Sequence, residues 1–458
     1  MQTLDNDNFE FTDDEQYIFR RLNEMGINFL VVGGKVRDTL LGLHPKDTDI
    51  EVYNCAYGNL VHALLHFGEV DTVGSHFGVI LLKRPGLPTI EFTLARLDNQ
   101  AGNIGHINFN VDTPLDLEIE DAAKRRDFTI NTLAYDPIKQ QVIEPVSGAL
   151  SDLMHGILRA TSDHFGEDPL RVLRGMQFCS RLDIDFYEGR TVQMCKDLLP
   201  YYDTLSSERI WGEWKKLALS VYPSCGLKFL ATTEWLSKYP QLDCLREVMQ
   251  DPKWHPEGTV WIHTLETADM AARISGEIGM SDDDTIVLVL AAICHDMGKA
   301  TTTVEENGRI TSHGHEKAGV EPAFDFLSLI HAPSSIIARV DRLVENHMIR
   351  GEQTPRAIRR LSERLYPTNI EMLSHLIIAD SGGRLRSEAA ELCAAAKKQK
   401  VLLDMPAPIL MGRHLIPMGI EPGPQMGTIL HGAWEAQLDG EFEDEAGAIK
   451  WVKEKVFD

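Results

Sequence analysis

Apolar and polar positions change their rhythm along the chain. Residues 13–25 repeat apolar side chains at helical spacing and predict an amphipathic lead-in helix. From residue 26 to about residue 137, short apolar runs alternate with amphipathic stretches. Val31-Val32, Ile50-Glu51-Val52-Tyr53 and the runs at 79–82 and 90–94 read as strands of one sheet, with residues 36–41 as a short helix between the first two. Beyond residue 148 the spacing is helical, as in Leu170-Val172-Leu173-Met176-Phe178 and Ile210-Trp214-Leu217. Residues 251–258, with Pro252, Pro256 and Gly258, read as a linker to a second helical block that holds most of the histidines. Pro406, Pro408, Pro417, Pro422 and Pro424 then precede a last amphipathic helix. The fold class expected is α+β. It comprises an N-terminal extension (1–25), an α/β head on a small sheet (26–138), an all-α neck (139–250), a helical domain (251–400) and a helical tail (401–458).

A chain of 458 residues exceeds one ordinary core and agrees with several domains. The net charge of −24 excludes a surface that coats nucleic acid generally, so any RNA must meet a local basic patch. The 7 cysteines contain no CxxC pair and fit unpaired thiols in a reducing compartment. The acidic start, MQTLDNDNFEFTDDE, lacks a basic-then-apolar leader, and the apolar stretch at 286–294 is too short for a membrane span and reads as a buried helix. A cytoplasmic protein that does not meet a membrane is expected.

The segment FLVVGGKVRDTLLGLHPKDTDIEVYN (29–54) carries the first candidate chemistry. Gly33-Gly34 gives a turn where backbone approaches a phosphate without an intervening Cβ, and the helix that follows favours an anion at its N-terminus. Asp47 and Asp49 lead into a strand two residues apart, on one face and roughly 7 Å from each other, so both can serve divalent cations. Nucleotidyl transfer needs an activated hydroxyl and a neutralised phosphate, and carboxylate-held magnesium supplies both. Asp47 and Asp49 are the expected catalytic and metal residues. Glu91, in Ile90-Glu91-Phe92-Thr93, is either a third carboxylate or an ordinary strand glutamate. Gly34, Arg37 and Arg126 are candidate nucleotide-binding residues, the guanidinium forks suiting triphosphate oxygens.

In Glu167-Asp168-Pro169-Leu170-Arg171-Val172-Leu173-Arg174, a helix would place Asp168 and Arg171 on one face, with Arg174 continuing the line. An aspartate accepts from the exocyclic amine that cytosine and adenine share, and an arginine donates to ring acceptors. Uracil and guanine present a carbonyl there and leave the aspartate unpaired. The alternative for Asp168 and Arg171 is a plain helix ion pair.

The second cluster begins at His295-Asp296, which closes the apolar helix, with His263 upstream and His313, His315, His347 and Asp380 downstream. Imidazoles and carboxylates from several helices make a mixed N/O site suited to transition metals and to attack of water on a phosphoester.

The ordered motifs Gly33-Gly34, Arg37-Asp38, Asp47-Thr48-Asp49, Arg125-Arg126-Asp127-Phe128-Thr129-Ile130-Asn131 and 167–174 closely resemble the class II CCA-adding tRNA nucleotidyltransferases and their relatives the bacterial poly(A) polymerases. The resemblance runs from about residue 29 to near the end of the chain. It implies template-independent addition of CCA to tRNA from CTP and ATP with Mg2+, and assigns Asp168 and Arg171 as a protein template. Ser75-His76-Phe77-Gly78 looks like the CCA-adding form, whereas poly(A) polymerases carry two basic residues there. Two features depart from the family: Lys35 stands where a small residue is usual, and residues 94–117 have few basic side chains, which leaves CC-only or A-only addition open. A poly(A) polymerase with an accessory domain also stays open. The later cluster resembles the HD phosphohydrolase superfamily, with His263, His295, Asp296 and Asp380 matching its core ligands. CCA-adding enzymes of one bacterial branch carry such a domain with Trp254-His255-Pro256-Glu257 at the junction. That likeness implies 2′,3′-cyclic phosphodiesterase, 2′-nucleotidase and phosphatase activity with Ni2+ or Mg2+, and leaves room for a homodimer. The basic stretch that includes Arg356, Arg359, Arg360, Arg364, Arg384, Arg386, Lys397, Lys398 and Lys400, with Lys215 and Lys216, is the expected tRNA contact.

Overall fold

A computed structural model describes residues 2–5, 9–43, 45, 47–72, 79–95, 97–99, 110–112, 117–349 and 354–457. The segment 73–78 and much of 94–117, on which the CCA-versus-poly(A) reading and the basic-loop expectation rest, lie outside these residues. The chain divides into two compact units, residues 1–210 with 228–235, and 211–227 with 236–458.

In the first unit the described elements of the head run β1 (Gln2–Asp5), α1 (Asp13–Glu24), β2 (Asn28–Val32), α2 (Gly34–Leu40), β3 (Thr48–Tyr53), α3 (Tyr57–Leu64), β4 (Glu69–Asp71), β5 (Val79–Lys83), β6 (Ile90–Leu94), β7 (Leu97–Asn99), β8 (Asn110–Asp112), α4 (Ile119–Ala123), β9 (Ala134–Asp136) and β10 (Gln141–Glu144). Eight of the strands form one sheet in the order β1-β10-β9-β2-β3-β6-β5-β4, parallel only between β3 and β6. Both ends of the head therefore extend past the sequence expectation: residues 2–5 and 141–144 pair with each other at the sheet edge. Thr12 and Glu15 close a reciprocal cap that starts α1, and Glu15 also accepts from the Thr48 hydroxyl at 2.7 Å, which fixes α1 against β3.

The pleat sorts the sheet's two faces. Thr48, Ile50, Val52, Ile90 and Phe92 are buried on the α1 side, while Asp49, Glu51, Glu91 and Thr93 point the other way. That second face is apolar only in part, where Leu30, Val32, Tyr53 and Ala95 pack with Leu117, Ala122, Ala134 and Ile143. The polar remainder is open to a cleft. Further along, the helix Leu170–Leu182 lies so close to the helix Pro223–Thr232 that a Cβ on Gly175 would come within 2.9 Å of the Phe229 ring.

The second unit is helical apart from a small hairpin, Val304–Glu306 with Arg309–Thr311, among the described residues. Its central helix, Asp282–Cys294, starts at a Ser281 cap followed by three aspartates, which suits the positive end of a helix. Residues 286–294 are then wholly buried, as their unbroken apolar run predicts. The run Asp282–Thr302 is long and apolar enough to cross a membrane, but it is mostly buried, 78% over its most apolar 18-residue window. Trp214 donates to the Tyr239 hydroxyl at 2.9 Å and packs edge-on to Phe326 in the same core. The tail forms a small cluster of its own around Leu415, Ile429, Ala433, Phe442 and Val452.

Candidate functional site

In the head, Val32 at the end of β2 pairs with Asp49 at the start of β3, and Asp49 stands beside Glu91 across the parallel pair. Gly33 turns the chain between β2 and α2 with φ +69, and a Cβ there would lie 3.2 Å from Asp49 Oδ2. The positive φ favours glycine, and a side chain there would also crowd the Asp49 carboxylate. Asp49, Glu51 and Glu91 line a cleft of about 500 Å³ together with Arg125, Arg126, Arg171, Arg174 and Arg209. Burial, then Glu91, then Asp47 push the Asp49 carboxyl up to about 6, with Arg126 opposing. Asp47 is exposed, one residue ahead of β3. Carboxylates gathered beside Asp49 in this way are a donor set that fits a divalent cation.

The arginines are held in place by acids and carbonyls. Arg126 donates to Glu51 Oε2 and to the Asn131 carbonyl, both at 2.9 Å, and Tyr53 donates to the same Glu51. Arg37, placed by sequence as a triphosphate ligand, is 2% exposed and is tied to Asp38 and to Asn131 Oδ1 at 2.6 Å. It borders the cleft and braces its floor. Arg174 binds Asp127 at 2.7 Å and lies over the Phe178 ring. Buried Asp127 also accepts from Asn131, so one carboxylate organises the motif at 125–131.

Asp168 and Arg171 both line the cleft, but Asp168 does not lie on the helix, as the spacing suggested. Pro169 disfavours helical backbone in the residue before it, and Asp168 is extended (φ −133, ψ 107), with the helix starting at Leu170. The plain ion pair between Asp168 and Arg171 does not form. Asp168 Oδ1 accepts from the Leu170 N–H at 3.0 Å and Oδ2 from Arg209 at 2.5 Å. Arg171 donates to the carbonyls of His164 and Arg125. Each terminal nitrogen of Arg171 keeps one further N–H.

In the second unit five helix ends meet. His263 lies in the first turn of Val260–Ile278, His295 caps Asp282–Cys294 with Asp296 next to it, His315 opens His315–Ala318, His347 caps Ser334–Asn346 and Asp380 ends Ile370–Asp380. His263 Nε2 is 3.0 Å from Asp380 Oδ1 and 3.7 Å from Asp296 Oδ2. His315 Nε2 is 3.2 Å from Asp296 Oδ1 and 3.1 Å from His347 Nε2. Buried His295 Nε2 lies 3.2 Å from Asp296 Oδ2 and has no hydrogen-bond partner.

The opposite ring nitrogens explain this crowding. Nδ1 of His295, His315 and His347 faces the carbonyls of Ala292, Ser312 and Val344 at 2.7–2.8 Å, and Nδ1 of His263 faces Glu257 at 2.9 Å. A carbonyl can only accept, so those three Nδ1 atoms carry a proton, and their rings turn Nε2 toward each other and toward carboxylates. Such a cluster needs positive charge at its centre. Burial opposes ionisation of Asp296, but His295 and Lys299 hold it well below the usual carboxylate range. Burial opposes protonation of His263 and His315 too, yet Asp380 and Asp296 respectively pull them above the ordinary value. His347, by contrast, is pushed down to about 4, by burial and then by His295. The donor set fits one or two metal ions. His263, His295 and Asp296 converge as one group, and Asp296, His315 and His347 as another. His313 borders the adjoining cleft of about 810 Å³.

Sequence reasoning left Glu51, Asp127, Arg209, Glu257 and Lys299 without roles. The basic stretch also proves less free than its composition suggested: Arg356 and Arg360 pair with Asp439, and Arg359 donates to the Leu438 carbonyl and Gln399.

Residues 29–159 match the family described as Poly A polymerase head domain, and residues 260–381 match the HD domain. Solved structures similar to the whole chain include a Bacillus stearothermophilus CCA-adding enzyme in complex with CTP, at TM-score 0.65 and 20% identity over 97% of this chain and 98% of that one. A CCA-adding enzyme complexed with ATP matches at TM-score 0.60 and 19% identity, covering 100% and 99%. The Thermotoga maritima CCA-adding enzyme complexed with tRNA matches at 0.56 and 20%, covering 99% of each chain. The fold is that of the CCA-adding enzymes.

Proposed function

We propose that this chain, a poly(A)-polymerase-type head followed by an HD domain, adds CCA to the 3′ end of tRNA and trims phosphates from damaged ends. The observation that carries the first activity is the pairing of Asp49 with Glu91 across β3 and β6, facing a cleft that Arg126, Asp168 and Arg171 also line. In the reaction the oxygen of the RNA 3′-hydroxyl bonds to the α-phosphorus of CTP or ATP, the bond to the β-phosphate oxygen breaks, and pyrophosphate leaves. Asp47, Asp49 and Glu91 are the residues to hold divalent cations. Such cations, Mg2+ first among them, supply positive charge at the phosphates and favour the ionised hydroxyl. Arg126, fixed by Glu51, stands at the triphosphate side. Asp168 exchanges Arg209 for the exocyclic amine of cytosine or adenine, while Arg171, anchored by two carbonyls, keeps N–H groups for a ring acceptor.

The second activity rests on the convergent imidazole nitrogens. His263, His295, Asp296 and Asp380, with His315 and His347, are suited to Ni2+ or a similar ion, which would lower the pKa of a water beside a phosphoester. Opening a 2′,3′-cyclic end bonds the water oxygen to phosphorus and returns one ribose oxygen as hydroxyl. Removing a terminal phosphate likewise regenerates the hydroxyl that the head requires.

The decisive experiment offers a tRNA lacking CCA together with CTP and ATP. Synthesis stopping after three nucleotides is expected; unlimited adenylation would make the protein a poly(A) polymerase, and arrest after CC or dependence on a preformed CC end a partial enzyme. Asp49→Ala is expected to abolish incorporation with the fold intact, and wild-type incorporation by that variant would sink the metal assignment.

A further inference from the structure

The cleft beside the HD cluster contains an aromatic side chain that neither activity has used. Trp254 is 66% exposed, yet lines the same cleft as Asp296, His315 and Asp380. An indole left in water beside a metal-ligating cluster calls for a partner, since tryptophan is buried on average. Its loop is braced. Asp251 accepts at its carbonyl from the N–H groups of Trp254 (3.1 Å) and His255 (2.9 Å), and its side chain accepts from the Lys253 N–H at 3.0 Å. His255 is in turn held to Glu257 at 2.9 Å. The ring is thus presented from a turn anchored to the residue that orients His263.

The charges around the ring identify what it meets. The Lys253 ammonium sits 4.8 Å from the indole centroid, and exposed Arg309 and Arg384 line the cleft, neither paired with a carboxylate among the described residues. In a chain of net charge −24, a cleft with cations on its rim and an upright indole is built for an anion that carries a flat ring.

We infer that Trp254 is the base-stacking platform of the HD cleft, so that its substrate is a nucleoside 2′- or 3′-phosphate end, with the phosphate at the histidine–aspartate cluster and the base on the indole. This deepens, and rests on, the phosphohydrolase reading. The shared chemistry, a base joined to a terminal phosphate, comes either from a free mononucleotide or from an RNA end. Arg309 and Arg384 separate the two, because only an RNA end brings a second phosphate for them to hold.

The test compares wild type, Trp254→Phe and Trp254→Ala in the full chain. Adenosine 2′-monophosphate is expected to quench a component of tryptophan fluorescence that Trp254→Phe lacks, and inorganic phosphate is not. For hydrolysis, Trp254→Ala is expected to raise KM for adenosine 2′-monophosphate about 5- to 150-fold, the range of one base stack, while leaving glycerol 2-phosphate, a phosphoester without a ring, unchanged and Trp254→Phe near wild type. If Arg309→Ala and Arg384→Ala weaken a short RNA ending in a 2′,3′-cyclic phosphate more than the mononucleotide, the RNA end is the substrate; equal effects assign the free nucleotide. Equal losses for nucleotide and glycerol 2-phosphate, or no change in either, would overturn the platform and leave the phosphohydrolase standing. Wild-type protein that hydrolyses neither compound, and shows no quenching component absent from Trp254→Phe, would remove both.

Discussion

Replacing Gly298 by alanine tests how tightly the HD cluster is built. Gly298 has an ordinary helical backbone (φ −65), so a side chain there is not forbidden by conformation. What forbids it is proximity. A Cβ would lie 2.6 Å from Gly319 N and nearer still to the His315 carbonyl, the two atoms that bond to each other at 2.8 Å. An ordinary contact of about 3.4 Å requires Gly319 N to retreat by roughly 0.8 Å and the His315 carbonyl by more than about 1 Å. Overpacking of this kind costs about 1–3 kcal/mol, within the roughly 5–15 kcal/mol of a domain, so the unit still folds. Metal–ligand distances, however, tolerate only about 0.2 Å, and a misplacement near 1 Å costs roughly 100-fold in rate. Gly298→Ala is therefore expected to lower hydrolysis of p-nitrophenyl phosphate by about that factor and to weaken metal binding in a competition titration. Incorporation of CTP into tRNA should be unchanged. Wild-type hydrolysis and metal affinity in the variant would refute the idea that this contact positions His315.

Asp168→Ala should reduce the preference for CTP and ATP over UTP and GTP by about tenfold or more, whereas Arg209→Ala, which only frees Asp168, should keep it; single-nucleotide incorporation rates decide. Asp49 moves from its ordinary 3.8 up to about 6, so the metal-free head binds an extra proton between those values and loses stability as pH rises through that window. Mg2+ relieves that loss, so the rise in Tm on adding Mg2+ should be larger at pH 7.5 than at pH 5; an equal rise would contradict the placement of the ion at Asp49. Gly175→Ala drives a methyl into Phe229 and Phe128 and should destabilise the first unit by about 1–3 kcal/mol in a denaturant melt.

Local pattern carried the head's inner strands and the buried helix at 282–294, because burial on one sheet face or around a whole helix writes itself into residue spacing. The histidine–aspartate cluster was visible for a different reason: histidine next to aspartate at the end of an apolar run is chemically conspicuous. The supporting groups were not. Glu51 acts on Arg126 from 75 residues away, and Arg37 meets Asn131 across 94. Neither partner is unusual in its own neighbourhood, and only the fold brings them together. Asp168 was misplaced because helical spacing was read through Pro169, whose ring sets the conformation of the residue before it. The arginines of the helix Pro355–Leu365 looked like a surface for RNA, since the acids that occupy them, Glu435 and Asp439, come much later in the chain.

The convergence of helix ends in the second unit has a consequence for its persistence in the cell. His263 and Asp380 are separated by 117 residues, so a metal ion held by both would fasten together nearly the whole length of that domain. Unfolding would then release the ion, and at a free concentration one hundred times the dissociation constant that linkage would add about 2.7 kcal/mol. Metal supply would set the lifetime of the domain as well as its turnover, and starvation for the ion would expose the chain to proteolysis before substrate became limiting.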